Sequence, residues 1–581
     1  MADSVNDGNT NPKKSKELSM EMRLLLAFLL MGGVMFLTPY LFKTETPPKK
    51  TAASPAAQTQ AAQTPAPPAP TQPAAPAAAA PAETTASQNP TVKATAQQPL
   101  PPFVIVTDRF RVSFSNQGAN VRSWQLRKYK GNDDKPLELT NTASGLEYPF
   151  SLYFPSQKPA TNPNWAYFTQ TPDADGLGVS YEFSDGHLLV RKKFRFEKDS
   201  YLSQVTTEAT LDGRPIPHMI EWRGGFGDLT VASAGSKETT LYFDVPQNKL
   251  IEQRAGAAKN GPITTQGNYS FAGLADSYFA AVALPKESTT VQVVTFTDTV
   301  RTALEEKPAQ TSGVAISDGE INQFELFVGP KDVDTLKKVN PKLEQVVDFG
   351  WLSILAKPLF LIVNWFNDGF VHNFGWAIVV VTVIINFILF PLKLQNMKSM
   401  RKMQALKPQI DAINAKYKNI GLRDPKKADQ NQEVMDLYKK YGVNPMGGCV
   451  PMLLQIPFFF AFYKVFTVSV EMRGAPWLWV TDLSQPEHLP IKILPVVMIA
   501  SQFLMQKMTP QANVDPAQQK MMMFMPLIFG FMFYNFPSGL VLYYLTSNLV
   551  NMGQQWFFNH TESAQEAARS VEPPKKKNGR K

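Results

Sequence analysis

Between Phe374 and Phe558 the chain carries five apolar stretches of near-bilayer length: Phe374–Pro391, Gly448–Phe466, Leu489–Met508, Met521–Phe536 and Gly539–Phe557. A hydrocarbon core about 30 Å thick takes roughly 20 mostly apolar residues per crossing helix, and in lipid every backbone polar group must be paired within the protein. This half therefore reads as a bundle of membrane helices. The stretches are almost free of charge but contain amides, hydroxyls and tyrosines. In the last one Tyr544, Asn548, Asn551 and Gln555 recur at i, i+4, i+7 and i+11, a polar stripe on one helix face. An unpaired amide in hydrocarbon costs roughly 2–7 kcal/mol, so the stripe must meet water or another helix. Both a wet cavity and ordinary interhelical hydrogen bonding satisfy that demand.

A further apolar run, Leu24–Phe42, follows Arg23 and reads as an uncleaved anchor, with a cleaved signal sequence as the alternative. Residues 43–102 are rich in Ala, Pro, Gln and Thr and cannot bury enough apolar surface to fold; they read as a tether. From Phe103 the apolar period becomes two. Phe110, Val112 and Phe114 alternate with Arg109, Arg111 and Ser113, while Val179, Tyr181 and Phe183 run through the turn Ser184-Asp185-Gly186 into Leu188, Val190, Phe194 and Phe196. This predicts a large antiparallel β-sandwich domain, closed by a helical segment over Lys331–Val347. Gly350–Phe370 reads as an amphipathic helix lying in the membrane interface.

The net charge of +9 is uneven. Lys13, Lys14, Lys16 and Arg23 lead the chain, Lys575, Lys576, Lys577, Arg580 and Lys581 close it, and a third basic group lies between Lys393 and Lys440. The positive-inside rule puts all three in the cytoplasm. With the anchor, six crossings give that placement and leave the β domain and the acidic loop Glu471–Glu487 outside. The basic insert, residues 392–445, predicts a helical hairpin. Met397, Met400, Met403, Leu406, Ile410, Ile413 and Tyr417 make one stripe and Val434, Leu437, Tyr438 and Tyr441 a second, with Lys398, Arg401, Lys402, Lys416 and Lys418 on other faces. The stripes suit mutual packing. The soft methionines and the cations also suit incoming chains or lipid head groups.

Chemistry-bearing motifs are absent. Cys449 opens a span with no histidine near it in sequence and reads as a small buried residue; as the lone cysteine it has no intramolecular disulfide partner. Gly225-Phe226-Gly227-Asp228 matches the GxGD string of intramembrane aspartyl proteases but falls in the β domain, where chance explains it. His187, His218, His372, His488 and His560 show no metal-ligand spacing, and there is no phosphate loop. The expectation is no enzyme, no metal and no cofactor.

Three ordered segments, NPMGGCVPMLLQIPFFFAFY (Asn444–Tyr463), DPAQQKMMMFMP (Asp515–Pro526) and FPSGLVLYYLTSNL (Phe536–Leu549), resemble the bacterial YidC membrane protein insertases, relatives of mitochondrial and chloroplast insertases. The anchor, tether, β domain and LFVGPK segment (Leu326–Lys331) follow the Gram-negative arrangement, so the resemblance spans nearly the whole chain. It implies a five-helix core enclosing a hydrophilic groove through which a substrate helix slides into the inner membrane. Nascent membrane proteins, the ribosome, the Sec translocon and membrane lipids are then the partners, with no specific DNA binding. The groove candidates are Thr382, Asn386, Lys393, Gln455, Ser501, Tyr543, Tyr544 and Asn548; by position the resemblance assigns Phe459, Met525 and Phe529 to an apolar track, and Met397, Met400, Arg401 and Lys402 belong to the cytoplasmic hairpin. One position departs. Where the family carries a groove arginine before a Pro-Leu pair, this chain has Asn386 before Pro391-Leu392. Lys393, seven residues on, falls on the same face of an unbroken helix, about 10 Å nearer the cytoplasm, with a kink at Pro391 as the alternative path. It is either a displaced groove cation or a lysine reaching for the interface. A secondary transporter, which predicts repeated broken helices, is the alternative function. A sugar-handling role for the β domain is a third reading.

Overall fold

The computed structural model describes residues 98–561 and 565, apart from 132, 142–144, 231–237, 287–289, 302–307, 418–425, 444–449 and 510–515. The anchor, almost all of the tether, Cys449 and the basic tail lie outside the described residues.

The alternating segments form strands with their apolar side chains inward, as the period of two requires. Phe110, Val112 and Phe114 are fully buried on Phe110–Ser115, and Val190 and Phe194 on Leu188–Phe196. Three sheets share one core. The largest has ten strands, from Lys249–Arg254 at one edge through Thr239–Asp244, Tyr269–Ala275, Phe279–Leu284, Ile321–Pro330, Leu202–Leu211, Leu188–Phe196 and Gly178–Ser184 to Thr169–Pro172, with the two-residue strand Arg214–Pro215 beside Leu202–Leu211. A five-stranded and a four-stranded sheet pack with it in a sandwich-like domain. Its centre is aromatic: Trp124 lies 5.3 Å from Phe110, 5.6 Å from Phe196 and 6.2 Å from Trp222, centroid to centroid.

The helical segment after the sandwich is shorter than its sequence suggests. Asp332 caps helix α1 (Val333–Val339) by accepting from Thr335 N at 2.7 Å, and the chain turns extended at Asn340 because Pro341 follows. A 3₁₀ turn, Pro341–Val346, completes the segment. Helix α2 (Ser353–Phe366) and the π-helical turn Asn367–Val371 then make the one continuous helix, Ser353–Val371, long and apolar enough to cross a membrane among the described residues. Its exposed face carries Ile354, Trp365 and Phe370, and Trp351 is exposed just before its start.

Asn373 caps α3 (Phe374–Ile388). This helix stops three residues short of Pro391 and meets α4 (Phe390–Ala405) at a 58° bend. Pro391 supplies no N–H and its ring crowds the carbonyl four residues back, so the apolar segment Phe374–Pro391 becomes a kinked pair. The hairpin stripe also divides, at Leu406, because Pro408 starts α5 (Lys407–Lys416). It packs against α6 (Lys426–Lys440) through Met403, Leu406, Ile410 and Tyr438. Then follow α7 (Val450–Val468), α8 (Ile493–Met508), α9 (Pro516–Phe533) and α10 (Ser538–His560). Helix α8 starts after Pro490, four residues later than its apolar run. Helix α9 starts at Pro516, five residues earlier than its apolar run, since proline fits a first turn.

Candidate functional site in the helix bundle

The kink brings together what the sequence separates. Thr382 and Asn386, one turn apart on α3, are buried at 0% and 3% exposure, and Lys393, on the first turn of α4, at 7%. Lys393 folds back instead of reaching outward. Its Nζ donates to Asn386 Oδ1 at 2.5 Å and to Asn551 Oδ1 on α10 at 2.6 Å. Asn386 Nδ2 donates to Thr382 O at 2.8 Å and Ser547 Oγ at 3.3 Å, while Thr382 Oγ1 donates to Ile378 O. The broken helix leaves the Asn386 carbonyl without its usual partner, and Gln554 Nε2 on α10 donates to it at 3.1 Å. On the other flank Asn548 Nδ2 donates to Ser501 Oγ on α8 at 3.0 Å.

Three helices and the kink thus enclose a buried polar seam with a lysine in its middle. Among the described residues no carboxylate lies within 4.0 Å of Lys393 Nζ, which is held by neutral oxygens alone. Burying a cation without a counter-ion is unfavourable, and here the two amide oxygens offset part of that cost.

The proposed groove residues do not all meet there. Gln455 Nε2 donates to Tyr543 Oη at 2.6 Å in a second polar contact between α7 and α10, where the Tyr543 ring stacks on Phe462 at 4.2 Å. Tyr544 packs on Phe533 at 5.0 Å, and Gln555 donates to Asn559 on its own helix. Ser547 and Gln554, not singled out in the sequence, contact Asn386. The signal was present, since Ser547, Asn551 and Gln554 also recur at i, i+4 and i+7, in a stripe beside the one first seen. Phe459 and Phe529 are buried, with Phe459 in an aromatic cluster 5.7 Å from Phe533 and 6.2 Å from Phe536. The apolar side chains presented outward by α9 are instead Met523, Phe524, Leu527, Ile528 and Phe531, while Met525 is half-buried. In the hairpin Met397, Met400, Arg401 and Lys402 are half-buried, and Arg401 donates to Gln404 at 2.9 Å.

Among the described residues no group of three or more His, Cys, Asp or Glu side chains is placed to hold a metal ion. His218, fully buried in the β domain, contacts Thr207 Oγ1 and Ile216 O, a satisfied structural histidine.

Comparison with known proteins accords with these features. The 60Kd inner membrane protein family model matches residues 365–566 and the YidC periplasmic domain model residues 103–362. A membrane protein insertase YidC from Geotalea daltonii is 34% identical over 557 residues, covering 93% of this chain and 99% of the relative. One from Bordetella avium is 35% identical, covering 80% and 84%. A solved active YidC insertase with its first transmembrane domain resolved is 20% identical, covering 80% of this chain and 94% of that one, with a TM-score of 0.36. The chain belongs to the YidC membrane protein insertase family, as an inner-membrane protein with a periplasmic β-rich domain.

Proposed function

We propose that this chain inserts membrane proteins without covalent chemistry, using the seam around Lys393 as a polar half-path for the short tail that precedes a substrate's apolar helix. The observation that carries this reading is the buried lysine held only by neutral oxygens. An amide acceptor bonded to a charged donor contributes roughly 1.5–3 kcal/mol net, whereas a carboxylate 4 Å from the ammonium gains about 4 kcal/mol at an effective dielectric of 20. An acidic tail residue therefore displaces Asn386 or Asn551 from the lysine. As the tail moves on, the amides close again. Lys393 then serves in place of the family's arginine.

The reading extends to topology. Six crossings, with both termini and the α5–α6 hairpin in the cytoplasm, follow from the basic segments. The continuous helix Ser353–Val371 has the length and hydropathy of a span, but the exposed Trp365 and Phe370, with Trp351 just before it, suit a helix lying at the interface. The hairpin cations and the basic tail are the surfaces for ribosomes and lipid head groups, and the Sec translocon is a further partner. The outward side chains of α9 give the departing helix an apolar rail.

Photo-crosslinkers at Asn386, Gln455 and Met525 test this in the full chain. Arrested nascent membrane proteins are expected to give adducts at Asn386 and Met525. Crosslinks to none of the three positions would contradict insertion through this bundle and return the secondary transporter.

A further inference from the structure

The loop after α7 lies under the β domain and over the helix ends. Its 3₁₀ turn, Val470–Met472, buries Val470 and Met472, and beyond it Trp477, Val480 and Leu483 join the helix core; Gly539 N, at the start of α10, donates to Leu483 O at 2.8 Å. From the same loop Arg473 enters the β domain. Its guanidinium pairs with Asp228 Oδ2 through Nε at 3.0 Å and through Nη2, donates from Nη1 to Lys130 O at 2.7 Å, and leaves the two side chains only 6% and 2% exposed. Asp228 is in turn fixed by its own N–H, which donates to Asp276 Oδ2 at 2.8 Å. Asp228 of the GxGD string is thus held in a buried ion pair with the loop after α7.

Beside this pair sits an unneutralised acid. Glu471 faces Asp332, the capping residue of α1, and its Oε2 is buried without a hydrogen-bond partner. Two carboxyls can share a hydrogen bond only if one keeps a proton. The groups facing Glu471 are Asp332 and Asp334 of α1 and Tyr129 of strand Asn120–Lys130, itself near Tyr201 and Arg109. Arg473, two residues on, is committed to Asp228.

We propose that Glu471 and Arg473 form a proton-dependent clasp that docks the β domain onto the loop covering the outer ends of the helices. Arg473 supplies the permanent half and the Glu471–Asp332 pair the proton-sensitive half. Burial, then Asp332 and Asp334, push Glu471 up to about 8. Its carboxyl is raised in the docked state, so docking is strongest at acid pH. It is lost as pH rises from the ordinary carboxyl range towards about 8, by up to about tenfold in the docking constant per pH unit. Ionisation leaves two charges facing each other under a buried ion pair.

Spin labels on the full chain in lipid nanodiscs, at Val245→Cys and Ile491→Cys with Cys449→Ser, read the docked population; Val245 and Ile491 are 43% and 71% exposed. A single narrow distance is expected at pH 6, with a broad, longer population growing by pH 9. Glu471→Gln and Asp332→Asn should each stay docked at pH 9, because an amide donates where the shared proton did. Arg473→Gln should lower the docked fraction at both pH values. Identical distributions for the parent at pH 6 and 9, or a Glu471→Gln variant that undocks like the parent, would overturn the proton-sensitive half. An Arg473→Gln variant that docks like the parent would overturn the permanent half.

Discussion

Each half of the chain buries two lysines among the described residues, and one from each, Lys192 in the β domain and Lys393 in the bundle, are held by different kinds of acceptor. Lys192 Nζ donates to the backbone carbonyls of Gly118 and Phe150, each at 2.7 Å, with Glu147 and Glu221 nearby. Those carbonyls belong to a packed sandwich and cannot turn away. Lys393 is held by the side-chain amides of Asn386 and Asn551, which rotate at modest cost, and no carboxylate stands within ion-pair distance among the described residues. The first arrangement fixes a structure. The second leaves a charge that a passing anion can take over.

The largest expected effect tests whether the halves are separable. Trp124→Ala empties the aromatic centre of the sandwich and should cost the β domain about 3–5 kcal/mol in denaturant unfolding, while insertion by membrane-integrated protein persists. Loss of insertion in proportion to the unfolding would join what the comparison divides.

Lys192→Met should cost about 1–3 kcal/mol for each carbonyl left bare, with no change in insertion. It also removes a pH dependence. Burial pushes Lys192 down to about 7 against the pull of Glu147 and Glu221. The folded domain thus binds fewer protons than the unfolded chain between about 7 and the usual lysine range, and the lysine's burial penalty fades as pH rises through that window. The stability gap between parent and variant should widen over it; a constant gap would mean that Lys192 is charged throughout.

Gln554→Leu is the smallest change. It strips the partner from the Asn386 carbonyl at the kink and should lower the bundle's thermal stability by about 0.6–2 kcal/mol, with a shift in the α3–α4 angle readable as a label distance. An unchanged angle would assign the bend to Pro391 alone.

Much of this was legible in the sequence. The period of two placed Phe110, Val112 and Phe114 inside, and three ordered motifs carried the family. The seam was only half legible. Lys393 could be set on the face of Asn386 and Pro391 marked as a place to kink, but the direction in which the bend after Ile388 folds the side chain back leaves no mark on the sequence. Gln554 was hidden because its partner is a backbone carbonyl freed by the kink, which side-chain patterning does not register. Asp228 and Arg473, separated by 245 positions, meet only because the loop after α7 inserts under the β domain. Pairings of that range leave no periodic trace.

The most direct test of the central claim is insertion into liposomes of matched substrates differing only in tail charge, with each variant at equal density. Lys393→Ala should reduce insertion of acidic tails by about tenfold or more, the effect of some 1.4 kcal/mol, and leave neutral tails nearly unchanged. Adding Asn386→Arg to Lys393→Ala should restore the acidic tails, because the charge returns to the family's position one turn from Thr382. Equal insertion of acidic and neutral tails by parent and Lys393→Ala alike would contradict the account and make Lys393 a structural lysine like Lys192.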